Sequence, residues 1–229
     1  MLLVENLSFS YGEVQALRDI SLKVPTATIV SVMGRNGVGK TTLMKNIVGT
    51  LKSTNGSVYL DDQPIHNLMA HQRVSAGIGY VPQGRMIFPK LTVSENLQIG
   101  LAGSRNKIIP NQIFDLFPIL KEMKGRMGGD LSGGQQQQLA IGRALVTDPK
   151  ILILDEPTEG IQPNIIQQIG QVLLQLVEEK GLTVLIVEQY LDFVREFCQS
   201  FYIMNRGEMV ANGITKDLNQ QIIREYLSV

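Results

Sequence analysis

The chain has 229 residues, 44% of them hydrophobic, and 22 glycines, enough apolar material for one sizeable core threaded by many tight turns. Its 21 basic and 21 acidic residues cancel, so it lacks the charge footprint of a nucleic-acid or anionic-membrane binder. The single Cys198 excludes a disulfide framework and favours a reducing compartment, and no apolar run is long enough to cross a bilayer.

Met1 leads straight into strand-like Leu2-Leu3-Val4 rather than a signal peptide. Leu2 to Leu7, Ala16 to Val24 and Gly56 to Leu60, punctuated by Tyr11-Gly12 and Asp61-Asp62, predict a mostly antiparallel sheet. Between the second and third of these, Thr28 to Met33 is an apolar run with the pattern of a buried strand, and Thr41 to Val48 follows as a helix. The connection, Gly34-Arg35-Asn36-Gly37-Val38-Gly39-Lys40-Thr41, fits the phosphate-binding pattern G-x-x-x-x-G-K-[ST] without a mismatch. Gly34, Gly37 and Gly39 let the backbone turn its N–H groups toward anionic oxygens at a helix N-terminus. Lys40 is placed to reach the β- and γ-phosphates, Thr41 to meet Mg²⁺, and Asn36 and Thr42 complete the nucleotide-binding set. A plain glycine-rich turn would not need Lys40 and Thr41 in register. His66 and His71 fall in a polar segment and read as surface residues.

From Thr92 to about Val146 the pattern is helical, with core spacing at Ile113, Phe114, Leu116, Phe117 and Leu120. Within it, Leu131-Ser132-Gly133-Gly134-Gln135 is a second phosphate cradle: Ser132 is a natural N-cap, and Gly133-Gly134 expose backbone N–H groups before a helix expected over Gln136 to Val146. Gln136, Gln137 and Gln138 read as a solvated helix face. One nucleotide needs one cradle per chain, so the second implies two chains closing face to face over ATP.

Ile151 to Leu154 reads as a buried strand that ends in Asp155-Glu156. Asp155 suits Mg²⁺, usually through water, and Glu156 suits general-base activation of the attacking water. A helix over Asn164 to Glu179 and a strand over Thr183 to Val187 follow. Next comes an amphipathic helix over Leu191 to Gln199, in which Cys198 fills core space. Asn212-Gly213 is expected to end a last hairpin, and Leu218 to Leu227 to form a closing helix with no regulatory domain after it. The alternation of strands and helices argues for an α/β fold with a parallel sheet wrapped by helices.

Taken in order, Gly34 to Thr41, Gln83, Leu131 to Gln135 and Asp155-Glu156 make the chain similar to the ATP-binding subunits of ABC transporters, over essentially its whole length. The Leu-Ser-Gly-Gly-Gln signature is specific to that family. The resemblance implies an ABC-type P-loop ATPase with a RecA-like core, an N-terminal antiparallel β subdomain and a helical subdomain over roughly residues 90–147, all in one domain spanning 1–229. It further implies that Ser132, Gly133, Gly134 and Gln135 bind the γ-phosphate held by the opposite subunit, and that Tyr11 stacks on adenine. By the same resemblance Gln83 reaches Mg²⁺ or the lytic water, and Arg85 to Pro89 touches the permease's cytoplasmic helix. A GTP reading would want an Asn-Lys-x-Asp motif, and Asn106-Lys107-Ile108-Ile109 lacks the acid.

Two positions depart from the family pattern. Gln189 stands where a His usually contacts the γ-phosphate, and it can donate a hydrogen bond but not take up a proton near neutral pH. After Thr158, Glu159-Gly160-Ile161-Gln162 replaces the usual Ser-Ala-Leu-Asp, with Gln162 in place of the acid. Both departures resemble the branched-chain amino acid and urea importer branch, in which two different ATPase chains pair, and the surrounding motifs look most like the urea importer's ATPase. The implied partners are permease subunits, a second ATP-binding subunit and, indirectly, an extracytoplasmic solute-binding protein, with the chain at the cytoplasmic face of the inner membrane. Export or lipid traffic would use the same engine. A non-transport ABC ATPase would call for a long heptad insertion or a second motif set, and neither is present.

Overall fold

The computed structural model describes residues 1–102 and 108–227, so Asn106 and Lys107 of the guanine-motif comparison lie outside the described residues. The chain builds two sheets. The smaller is antiparallel, with β1 (Leu2–Tyr11), β2 (Val14–Val24), β4 (Asn55–Leu60) and β5 (Gln63–Pro64) in the order β2-β1-β4-β5. The larger has the order β10-β9-β3-β8-β7-β6, from β3 (Ile29–Met33), β6 (Ile78–Val81), β7 (Ile151–Asp155), β8 (Thr183–Val187), β9 (Ser200–Asn205) and β10 (Glu208–Ile214). Every pairing in it is parallel except β9 with β10.

The central strands are mostly apolar because both faces of the sheet are covered, with Ser31, Thr183 and Asp155 as buried polar exceptions. Side chains alternate along a strand, so each strand feeds two cores. Val30, Val32, Ile151, Ile153, Leu185 and Val187 pack with the small sheet and helix α1 (Lys40–Val48). Ile29, Met33, Leu152, Leu154, Val184 and Ile186 pack on the opposite side. There they meet α3 (Val93–Gly100), α4 (Asn111–Leu116), α5 (Pro118–Glu122), α6 (Gly133–Leu145), α7 (Pro163–Lys180) and α8 (Leu191–Phe197). A short α2 (Ala70–Ala76) precedes β6, and α9 (Gln220–Tyr226) ends the described chain.

Several sequence expectations shift. The N-terminal strands run longer than their apolar cores suggest, because hairpin pairing extends to Tyr11 opposite Val14. Pro118 starts α5 and divides the Ile113-to-Leu120 stripe between two helices, yet Phe117 and Leu120 remain buried. Asn212-Gly213 lies inside β10, paired with Tyr202 and Phe201, while the hairpin turns at Arg206-Gly207. There Arg206 adopts φ 47° and Gly207 φ 81°, the left-handed pair that a tight hairpin demands. Helix α8 stops at Phe197, with Cys198 just beyond it and buried in the core as expected; burial pushes its thiol pKa up.

His66 is partly buried rather than free on the surface: its ring meets Tyr59 edge-on at 6.1 Å, and its carbonyl accepts from Arg73. The Arg73 guanidinium is itself buried and donates to four backbone carbonyls, those of His66, Leu68, Asn46 and Ile47, which ties α2 to the end of α1. His71 is exposed.

Where β4 crosses an irregularity in β1, Gly56 adopts φ 92°, and a Cβ there would lie 2.5 Å from the Asn6 carbonyl oxygen and from Leu7 Cα. Backbone cannot yield as a flexible side chain can. Gly56→Ala is therefore expected to cost about 2–3 kcal/mol of stability, measured by urea unfolding with an unchanged m-value.

Candidate functional site

Strand β3 ends at Met33, and the loop 34–39 wraps back to start α1 with Gly39 as its N-cap. Gly34 has φ 153°, and a Cβ on it would sit 2.4 Å from the Met204 carbonyl oxygen, so the loop can pass β9 only at a glycine. Lys40 is 4% exposed and folds along the loop, donating to the carbonyls of Gly34 (2.7 Å) and Arg35 (2.8 Å). Its Nζ is 3.7 Å from Glu156. Burial lowers the lysine pKa, and the carboxylates of Glu156, Asp155 and Glu188 work against that.

Asp155 closes β7 and is 1% exposed. One oxygen faces the Thr41 hydroxyl at 3.4 Å, and the other is buried without a hydrogen-bond partner. Burial pushes its carboxyl pKa up, the Thr41 contact opposes this, and the Glu156 charge adds to it. The Tyr80 hydroxyl is likewise buried with no partner at full hydrogen-bond distance, and desolvation, then the charge and the weak hydrogen-bonding pull of the nearby Asp155, raise its pKa. An orphaned carboxylate oxygen beside a threonine hydroxyl, with the Gln83 amide lining the same cavity as Thr41, is a hard-oxygen donor set that fits Mg²⁺.

Glu156 is the meeting point of the loops. Its backbone is in the left-handed region at φ 51°, an uncommon conformation for a non-glycine residue, and its N–H donates to the Val187 carbonyl at 2.9 Å. Gln189, after β8, donates to Glu156 Oε1 at 2.6 Å and to Asn36 Oδ1 at 2.7 Å. Gln83, after β6, donates to Glu156 Oε2 at 2.9 Å and to Glu159 at 3.2 Å. Residues 83, 36, 156 and 189, far apart in sequence, thus form one hydrogen-bonded cluster around a single carboxylate. The adjoining cavity of about 600 Å³ is lined by Tyr11, Asn36, Lys40, Thr42, Gln83 and Glu156 among others. Tyr11 stands half exposed at its wall, held edge-on by Phe9 at 4.7 Å.

The second cradle is elsewhere. Ser132, Gly133, Gly134 and Gln135 line a separate groove of about 940 Å³ together with Gly160 and Gln162, and share no lining residue with the first cavity. Ser132 caps α6 with a capping box: its hydroxyl accepts from the Gln135 N–H at 3.4 Å while the Gln135 side chain accepts from the Ser132 N–H at 2.9 Å. The helix therefore begins at Gly133 rather than at Gln136. Gln137 and Gln138 are buried, not solvated; Gln138 donates to Gln168 of α7 across a helix contact that the sequence does not display.

Sequence reasoning gave no role to Glu188 or Tyr80, and placed Arg85 only at the permease contact. Glu188 repeats the signal of Asp155, an acid directly after a buried apolar strand, and is 2% exposed. Tyr80 sits on β6, whose short apolar run is hidden by Gly79. Arg85 donates to the Glu159 carbonyl at 3.1 Å from a turn where Gly84, Arg85 and Met86 all have positive φ.

Comparisons with known proteins agree with this architecture. The family model described as ABC transporter matches residues 17–159. The high-affinity branched-chain amino acid transport ATP-binding protein BraG of Pseudomonas aeruginosa is 38% identical, with 99% of each chain covered. The lipopolysaccharide export system ATP-binding protein LptB of Haemophilus influenzae is 34% identical, with 99% of this chain and 97% of that one covered. Among solved structures, an ATP-binding cassette of an ABC transporter in its ADP conformation superposes with a TM-score of 0.86 at 31% identity, covering 98% of this chain and 97% of that one.

Because burial raises the Asp155 pKa, its ionised form is disfavoured in the folded state, and the penalty grows as pH rises above the unfolded carboxylate pKa. Asp155→Asn removes that charge. The variant is expected to melt at a higher Tm than the unmutated chain at pH 7 in nucleotide-free buffer, the difference shrinking toward pH 3. An equal or lower Tm at pH 7 would mean that Thr41 and Lys40 already compensate the carboxylate.

Proposed function

This chain belongs to the ABC transporter family and is an ATPase, and from that premise we propose that it energises import of a small polar solute through a separate permease, sharing each ATP site with a second ATP-binding subunit. The observation that carries the shared-site reading is the separation of the two phosphate cradles: Lys40 and Ser132 face different cavities, so a signature from another chain is needed over the P-loop. Among the described residues no helix is long and apolar enough to cross a membrane, in keeping with a separate permease. Met86 and Phe88, 66% and 44% exposed, border a groove with Val74, Ile99 and Arg143 that suits an apolar helix of that permease.

In this reading ATP draws Lys40 from the Gly34 and Arg35 carbonyls to its β- and γ-phosphates, a charge-assisted exchange that stabilises the bound nucleotide. Tyr11 stacks on the adenine. Thr41, Asp155 and Gln83 would hold Mg²⁺, which would supply neutralisation of phosphate charge in phosphoryl transfer. Glu156 accepts a proton from the attacking water, and Gln83 and Gln189 hold its carboxylate in place from either side. Gln189 contributes a donor and no proton transfer. Hydrolysis separates the pair of subunits and resets the permease.

The motif resemblance favours urea as the solute, while the identity to BraG supports a branched-chain amino acid. Purification with the permease, followed by ATPase assays with solute-binding proteins loaded with urea or with leucine, distinguishes them: stimulation by the urea-loaded protein is expected. Stimulation by leucine alone would move the solute, and stimulation by neither would favour export, the activity named for LptB.

Glu156→Gln is expected to retain ATP binding while slowing hydrolysis by about 10²–10⁴, the usual cost of a lost general base, and to shift the ATP-bound protein to dimer on sizing. Lys40→Ala should lose tight ATP binding, by equilibrium titration, without loss of fold. A dilution series on the unmutated chain should show turnover per chain rising with concentration, and full turnover in a dilute monomer would exclude the shared site.

A further inference from the structure

Glu188 has no place in the scheme above, yet it is the most completely engaged buried acid beside the site. It is 2% exposed, and its two oxygens serve different loops. Oε1 accepts from the Thr158 N–H at 3.1 Å, two residues beyond Glu156. Oε2 accepts from the Gln189 N–H at 3.0 Å and the Tyr190 N–H at 3.1 Å. On the open side of the same loops, the Gln189 side chain bonds Glu156 at 2.6 Å. A ring therefore closes through space, from Glu156 along the chain to Thr158, across to Glu188, and through Gln189 back to Glu156.

We infer that Glu188 is a positioning residue for ATP hydrolysis, holding the loop that carries Glu156 and the turn that carries Gln189 as one unit. Burying a carboxylate is costly, and burial does push this one's pKa up; three backbone donors from two segments offset that cost only while both loops keep their places. A neutral amide cannot substitute, because one end of glutamine would turn an N–H donor toward a backbone N–H. Since a carboxylate accepts in two directions, displacement of the Gln189 turn is passed to Thr158 and so to the general base. Glu188 is not among the residues lining the P-loop cavity and acts through the two loops it joins.

The inference rests on the assignment of Glu156 as the base, and the test keeps the two apart. In the full-length chain Glu188→Gln is expected to lower kcat by about 10-fold to 10²-fold with the KM for ATP changed less than about twofold, as for a misplaced reacting group. Hydrogen exchange at the Thr158, Gln189 and Tyr190 amides should quicken together. Unchanged kcat in Glu188→Gln, alongside a crippled Glu156→Gln, would overturn the positioning role and leave the base in place. Full turnover in Glu156→Gln would overturn the base assignment instead. A kcat loss matched by the unfolded fraction would make Glu188 a stability residue only. Should Glu188→Gln fail to fold, exchange in the unmutated chain decides: ATP is expected to slow all three amides in concert, and independent behaviour of Thr158 would overturn the coupling.

Discussion

Parallel pairing of β6, β7, β8 and β3 is the constraint on which the site depends. Parallel strands all deliver their C-terminal ends to the same edge of the sheet, where ligands of open α/β folds bind. Four loops therefore arrive together: the P-loop after β3, Gln83 after β6, Glu156 directly after the Asp155 that ends β7, and Glu188-Gln189 after β8. None of these residues needs to be near another in sequence. What keeps the edge in register is burial of both faces, since a slip of one residue would exchange the two cores that each strand feeds.

Charge at this edge is costly and only partly compensated. Lys40, Asp155 and Glu188 are all nearly inaccessible, and each has its pKa moved by burial in the direction that disfavours its charged form. Local strain adds to this, with Glu156 held at positive φ and the turn from Gly84 to Met86 left-handed at three successive residues. Such a site gives up stability to hold unpaired oxygens and a cation where phosphates and a metal are expected to arrive. The surrounding apolar sheet supplies the stability it lacks.

Distance from that edge gives the second cradle its meaning. Helix α6 is anchored to the rest of the chain by Arg143, which donates to the Met86 carbonyl at 2.8 Å, and by Gln138 to α7, so Ser132 and the glycines after it are presented on a fixed face. Arg85 lies against Gly133 and bonds Glu159, which links the turn after Gln83 to both the cradle and the loop after Glu156. Met86 thereby follows directly on a residue whose side chain reaches both the cradle and the loop after Glu156.

The P-loop, the strand ending in Asp155-Glu156 and the Ser132 cap are legible in the amino-acid order because each is a local device, a few residues whose backbone conformation and neighbours decide what they hold. Buried parallel strands are legible for the same reason, as continuous apolar runs. The burial of Gln138 is not, since it depends on α7 arriving from another part of the chain, and neither is the partial burial of His66 against Tyr59. Nor does Asn212-Gly213 reveal that pairing with Phe201 keeps it inside a strand while the turn forms at Arg206-Gly207. The cluster around Glu156 is the clearest case: its donors come from residues 36, 83 and 189, and only the parallel sheet decides that they meet. Local sequence fixes which chemical groups a segment can offer; which groups share a carboxylate is set by long-range packing, because hydrogen bonds act over about 3 Å and no sequence spacing encodes that proximity.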